Sequence, residues 1–225
     1  MDSGDLKSRL RECLMEPLPG LEAQLTMVPE PRPGHKTFDQ VEGSSLKAGI
    51  LLLLIPRGGT LFLVLTRRTD RVPHHRGQIS FPGGEQHPGE VPVETAVREA
   101  EEELGIDLGR CRILGALTPL YIPPSNYCVY PFVALLEESP RFRPQPEEVD
   151  EVLEVPVDHV MDLRNRRAEV RTLDGNPVRI PFFEFQGNKI WGATAMVLAE
   201  FLAALGNVRG DGNRSGVGKK AQFRE

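Results

Sequence analysis

Residues 81–106 read FPGGEQHPGEVPVETAVREAEEELGI, a glycine-rich loop running into a segment with helical spacing. Taken as a helix over 92–104, the segment places Val93, Val97, Ala100 and Leu104 on one apolar stripe, suited to packing on a sheet. Pro92 fits the first turn, where its missing N–H costs nothing, and Gly105 supplies a stop. The opposite side carries an unusual density of acid. Glu99, Glu102 and Glu103 stand at i, i+3 and i+4, so their side chains share a patch. Like charges at that spacing weaken a helix by about 0.2–0.5 kcal/mol per pair. A solvated charged face is one reading of such a run. The other is a ligand set for a hard cation such as Mg²⁺, which takes carboxylate, water and substrate phosphate oxygens. Arg98, four residues before Glu102 and four after Glu94, is placed to brace the cluster. The preceding glycines can bring backbone N–H groups close to a phosphate.

Working outward, the helix is flanked by strand-like segments. KAGILLLLIP and TLFLVLTRR surround a glycine turn, and the unbroken apolar run of the first implies burial on both faces. CRILGALTPL, YCVYPFVALLE and the stretch around Val152–Val155 follow. Asp174-Gly175 and Gly187-Asn188 then separate VRTL, VRIPFFEF and KIW as hairpin strands. A last helix over 193–205 closes the pattern, which predicts an α/β fold with a mixed sheet. Residues 1–45 form an arm, with a short helix over 5–16 and a proline-rich connector, VPEPRPG, over 28–34. Residues 206–225 have almost no large apolar side chains and read as a disordered tail.

The 225 residues carry a net charge of −5, a pI near 5.7 and 40% apolar content. That balance suits neither a nucleic-acid-coating protein nor one bound to an anionic membrane surface. Cys13, Cys111 and Cys128 are odd in number and far apart, which fits a reducing, cytoplasmic compartment better than a disulfide framework. The N-terminus lacks the apolar stretch of a secretory signal.

From Gly84 to Ile106 the chain fits G-x5-E-x7-R-E-U-x-E-E-x-G-U, where U is apolar, at Gly84, Glu90, Arg98, Glu99, Glu102, Glu103, Gly105 and Ile106. This resembles the signature of the Nudix hydrolases. The resemblance implies an α/β/α sandwich around a central mixed sheet over residues 46–205, and hydrolysis of a nucleoside diphosphate linked to another group. It also implies that Glu99, Glu102 and Glu103 ligate Mg²⁺ or Mn²⁺, that Arg98 orients them, and that Glu90 ties loop to helix. A carboxylate must take the proton of the attacking water. Glu102 is one candidate; Glu147, Glu148 and Glu151 in PEEVDEV are others.

The loop before the box, TRRTDRVPHHRGQISFPGG, holds Arg67, Arg68, Arg71 and Arg76 with His74 and His75 against a single acid, Asp70. Such a local reversal of charge suggests that a polyanion lands there. The run is similar to the pattern L-L-T-x-R-[S/A]-x3-R-x3-G-x3-F-P-G-G of the coenzyme A diphosphatases, matched by Leu65, Thr66, Arg68, Gly77, Phe81, Pro82, Gly83 and Gly84. Val64, Thr69 and Pro73 depart from it, Pro73 standing where the pattern has an arginine. The implied substrate is coenzyme A or a thioester, bound through Arg67, Arg68, Arg76, His75, Gly83 and Gly84, with Arg68 on the 3′-phosphate. ADP-ribose, NADH or another nucleoside diphosphate derivative is the alternative substrate. A nucleotide-binding module without catalysis is a further reading. Trp191 with Phe182, Phe183 and Phe185 suits either the core or a base or pantetheine pocket. The arm is free to cover the site or to mediate a homodimer.

Overall fold

The computed structural model describes residues 3–30, 38–69, 77–173 and 175–209. The apolar run is its centre. Strand β1 (Leu46–Arg57) pairs antiparallel with β2 (Thr60–Arg68) across the glycine turn and parallel with β7 (Tyr127–Leu135), so the sheet is mixed. Leu51 to Ile55 are wholly buried because both faces of β1 are covered. On the N-terminal side of Leu54, β1 separates from β2, and the chain at 79–85 wedges into the gap. Its β3 (Ile79–Ser80) bonds to β2 and its β4 (Gly83–Glu85) to β1. Sequence reading took this segment for loop, since pieces of two and three residues are too short to show alternation. Strands β5 (Arg112–Ala116) and β6 (Leu120–Ile122) pair with β7, and β8 (Val149–Pro156) pairs with β2.

On one face, helix α4 (Pro92–Leu104) sets Ala96, Ala100 and Leu104 against Leu51, Leu53, Ile55 and Val64. The opposite face presents Leu52, Leu54, Leu63 and Leu65 to Val197, Leu198 and Phe201 of α6 (Gly192–Arg209). The result is the expected α/β/α sandwich. A small antiparallel sheet of β9 (Arg166–Leu173), β10 (Asn176–Phe185) and β11 (Asn188–Trp191) joins the α6 side. Its Phe182, Phe183 and Phe185 are core side chains, whereas Trp191 is only half-buried. Helix α6 runs on through Arg209, past the end expected at 205; residues 210–225 lie outside those described.

The arm folds as α1 (Ser3–Met15), α2 (Gly20–Leu25) and α3 (Phe38–Val41), followed after the turn at 42–44 by β1; a short helix, α5 (Val157–Met161), follows β8. Sequence reading found α1 but not α2, whose helical turns follow Pro17 and Pro19. The arm is welded to the domain. Leu10 and Met27 are buried in the main core, and Glu30 exchanges backbone hydrogen bonds of 2.9 and 2.8 Å with Arg179. Beneath α2 lies a polar knot in which Gln24 and Glu200 are fully buried and Thr118 partly so. The Gln24 amide donates to Glu200 Oε2 and to the Thr118 carbonyl, both at 2.8 Å, and the Thr118 N–H donates to Glu200 Oε1 at 3.1 Å. Replacing Glu200 by alanine removes the acceptor for two buried donors. A loss of about 3 kcal/mol is expected from the usual cost of unsatisfied buried groups, read as a lowered urea midpoint at unchanged slope.

The three cysteines form no disulfide. Among the described residues no helix is long and apolar enough to cross a membrane.

Candidate active site

The site is built where β4, α4 and the turn before β8 meet. Helix α4 lies unusually close to the sheet because residue 49 of β1 has no side chain. A Cβ there would stand 2.2 Å from the Pro92 carbonyl oxygen and 2.7 Å from the Ala96 nitrogen. Gly84 does the same for the loop: a Cβ on it would lie 2.3 Å from an oxygen of Glu99. At the other end Gly105 caps α4 in the left-handed region, at φ 60°, and lets the Arg143 backbone pass where a Cβ would collide. The segment beyond Arg143 is then zipped to the helix end. The Arg143 N–H donates to the Leu104 carbonyl at 2.9 Å and the Gln145 N–H to that of Glu103 at 3.2 Å. This brings Glu148 into the electrostatic neighbourhood of Glu103.

Arg98 is the hub of the acidic face. Its Nε donates to Glu90 Oε1 at 2.6 Å, and its Nη1 reaches Glu99 at 2.7 Å and Glu102 at 3.2 Å. Its Nη2 also bonds the Glu85 carbonyl at 3.2 Å, so one guanidinium ties β4, the loop and the helix together. Glu90 takes further bonds from the Thr95 hydroxyl and the His87 N–H. With Arg98 foremost, these donors hold its carboxyl down at about 2. A depressed carboxylate stabilises the fold fully above its unfolded value. The bracing therefore holds above about pH 4.5 and is released only as pH falls toward 2. Glu94, four residues before Arg98, accepts the Val91 N–H at the start of α4.

The three box glutamates differ in environment. Glu102 is 55% exposed and Glu99 16%, both held by Arg98, while Glu103 is 4% exposed on the side facing the sheet. Thr66 bonds Glu103 at 3.4 Å and Arg68 Nη1 stands 3.9 Å from it. Burial pushes the Glu103 carboxyl up to about 8; Arg68 opposes the rise, while the charges of Glu148 and Glu99 add to it. Among the described residues, no group of three such side chains stands close enough together to hold a metal ion. Arg98 is the cation that Glu99 and Glu102 already share. The donor set itself fits a hard divalent ion: carboxylate oxygens only, packed on a glycine-lined strand, with mutual repulsion that such an ion would relieve.

Arg67 and Arg68 do not share a face. Consecutive strand residues point to opposite sides, and Arg67 turns away from the box to Glu151 at 2.5 Å and Asn188 at 3.0 Å. Arg68 turns toward it, with its Nε buried and without a hydrogen-bond partner among the described residues. A register shift of β8 between these two residues, together with the Thr69 N–H donating to the Glu148 carbonyl, seats Glu148 beside them. Gly83 and Gly84 lie in β4 as backbone. His75 and Arg76, with His74, Arg71 and Pro73, lie outside the described residues. Sequence reasoning missed the Glu85 carbonyl and Thr95 as parts of the frame; the box spacing carries no signal for either.

This frame has relatives. Residues 45–173 match the NUDIX domain. The chain belongs to the Nudix family. It is 32% identical over 176 residues to the Nudix hydrolase NudL of Photorhabdus laumondii, covering 78% of this chain and 89% of that one. NudL of Yersinia pestis is 34% identical over 153 residues, covering 68% and 76%. Nudix hydrolase 15, mitochondrial, of Arabidopsis thaliana is 32% identical over 160 residues, where the match spans only 56% of the plant protein. Among solved structures, the MutT protein of Methanosarcina mazei aligns with a TM-score of 0.46 at 16% identity, over 74% of this chain and 96% of that one. A C. elegans Ap4A hydrolase aligns at 0.43 and 20% identity, over 50% and 81%. The protein is a Nudix hydrolase, a diphosphatase acting on phosphorus-containing anhydrides.

Proposed function

We propose that this Nudix hydrolase cleaves the diphosphate of coenzyme A or its thioesters, yielding adenosine 3′,5′-bisphosphate and 4′-phosphopantetheine or its acyl form. The supporting observation is Arg68. It belongs to the run similar to the coenzyme A diphosphatases, and it stands beside Glu103 with a buried Nε that has no hydrogen-bond partner among the described residues. A guanidinium so placed suits a diphosphate oxygen.

Glu99, Glu102 and Glu103 would hold Mg²⁺ or Mn²⁺, which supplies charge neutralisation and a more acidic water. The chain's own groups do the rest. Arg98 keeps Glu99 and Glu102 oriented through its bonds to both. Arg68 holds the diphosphate against the box. Glu148, for which no side-chain ion pair is found among the described residues, is the carboxylate best placed to take the proton of the attacking water, and Glu102 serves as ligand. Because Arg68 faces the box, we assign it to the diphosphate and not to the 3′-phosphate. Arg68→Ala is then expected to lower kcat/KM for coenzyme A and for dephospho-coenzyme A alike, by roughly 100-fold, since a charged hydrogen bond contributes up to about 3 kcal/mol. A loss confined to coenzyme A would return Arg68 to the 3′-phosphate.

Pro73, where the pattern has an arginine, favours ADP-ribose or NADH as the second reading. Competing coenzyme A, ADP-ribose and NADH in one assay with Mg²⁺ or Mn²⁺ separates them: the coenzyme A reading fails if coenzyme A does not have the highest kcat/KM.

A further inference from the structure

One cavity, of about 320 Å³, is not explained by the chemistry of the box. It is lined by Gly77, Gln78 and Ile79 on one side, and on the other by Arg171, Gly187, Asn188, Lys189 and Trp191. Its size is that of a small-ligand site. Its walls combine a flat aromatic surface with two cations. The Arg171 guanidinium lies over the Trp191 indole, 5.4 Å from the ring centroid, and Lys189 stands two register positions from Trp191 along β10–β11.

One wall of the cavity is bonded to the strand end that carries Arg67 and Arg68. Ile79 is in register with Arg67, the Arg68 N–H donates to the Gln78 carbonyl at 2.9 Å, and the Gly77 N–H donates to that of Arg68 at 3.1 Å. Arg67 spans to Asn188 on the far wall. The two arginines at the end of β2 point to opposite faces: Arg68 toward the acidic helix, and Arg67 toward Asn188 in the cavity wall. A ligand with its diphosphate at Arg68 would reach this wall by passing round the end of β2.

We propose that this cavity seats the nucleoside end of the substrate, a purine ring against Trp191 and Arg171, and a ribose phosphate drawn by Arg171 and Lys189. The assignment rests on the reading that the substrate is a diphosphate with a phosphorylated nucleoside. Aromatic faces stack any base without regard to sequence, and arginine suits both stacking and phosphate. Glu169 tempers the site. It bonds both Arg171 and Lys189, and that pairing holds its own carboxyl below the ordinary range, with Lys189 the main cause. A phosphate must share these cations with it. Removing the acid and removing the cations therefore have opposite effects on anion affinity, which a merely structural triad would not show.

Trp191 is the only tryptophan of the chain and reports directly. The full chain, in EDTA, is titrated with adenosine 3′,5′-bisphosphate while indole emission is followed. A saturable change is expected, weakened about tenfold in Lys189→Ala and more in Arg171→Ala/Lys189→Ala, and tightened severalfold in Glu169→Gln. Lys189 is exposed, so its variant tests the site even where the double variant fails to fold. In steady state, Lys189→Ala should raise KM for coenzyme A more than KM for dephospho-coenzyme A. No saturable change, one indifferent to all three substitutions, or binding that does not compete with coenzyme A hydrolysis overturns the seat. If the titration behaves as expected and coenzyme A is not cleaved, the seat stands and the coenzyme A reading falls. If coenzyme A is cleaved and the indole is silent, the reverse holds.

Discussion

Glu102→Gln is expected to lower kcat/KM by about 1,000-fold, close to 4 kcal/mol of transition-state stabilisation, while leaving the melting temperature within about a degree of the parent. The two halves of that result have separate causes. Glu102 is more than half exposed and its 3.2 Å contact with Arg98 is a surface ion pair, so its loss hardly touches folding. Its carboxylate, in contrast, is one of three proposed for the metal, and an amide is a poorer ligand for a hard cation. A titration with Mn²⁺ should show weakened binding in this variant. Glu148→Gln provides the contrast: turnover should fall by 10²- to 10⁴-fold, the usual worth of a general base, with Mn²⁺ affinity unchanged. If Glu148→Gln retains near-full kcat, the base is elsewhere; if Glu102→Gln binds Mn²⁺ as tightly as the parent, Glu102 is no ligand.

Gly49→Ala should be the most damaging of the small substitutions. The added methyl would stand 2.2 Å from a helix backbone oxygen, which no rotamer change can relieve, so α4 must move off β1. Overpacking of that kind costs about 3 kcal/mol, or a fall in melting temperature of roughly 6–12 °C for a chain of this size. Activity should fall further than stability explains, because α4 carries Glu99, Glu102 and Glu103, and a displacement near 1 Å can cost about 100-fold. A variant that melts with the parent and turns over normally would show that the helix has slack.

These two positions also show what the sequence does and does not disclose. Helix α4 is legible to its ends because both are punctuated, by Pro92 and by the left-handed Gly105. The central strands are legible because their apolar runs are long. Gly49 sits inside one of those runs, and nothing near it in the chain announces a helix passing overhead. The box spacing places three carboxylates on one side of α4, but not their fates. Glu102 and Glu103 are neighbours of identical chemistry; one reaches solvent and the other is buried, because Thr66 and Arg68 arrive from β2 to meet it. The same limit applies to Arg67 and Arg68, alike in sequence and opposite in direction. The knot of Gln24, Thr118 and Glu200 is illegible for a simpler reason: its ends are 176 residues apart.

That knot has a consequence for where the folding unit begins. The family match starts at residue 45, yet Gln24 and Met27 complete a core whose other side is α6, beyond the end of the match at 173. A chain trimmed to the matched stretch would lose both lids from the same face of the sheet and leave Leu52, Leu54, Leu63 and Leu65 open to water. Recombinant fragments cut at residues 45 and 173 should therefore aggregate, where one spanning 3–209 stays dispersed. The stretch that carries the family's chemistry and the cooperative body of this enzyme are drawn with different borders.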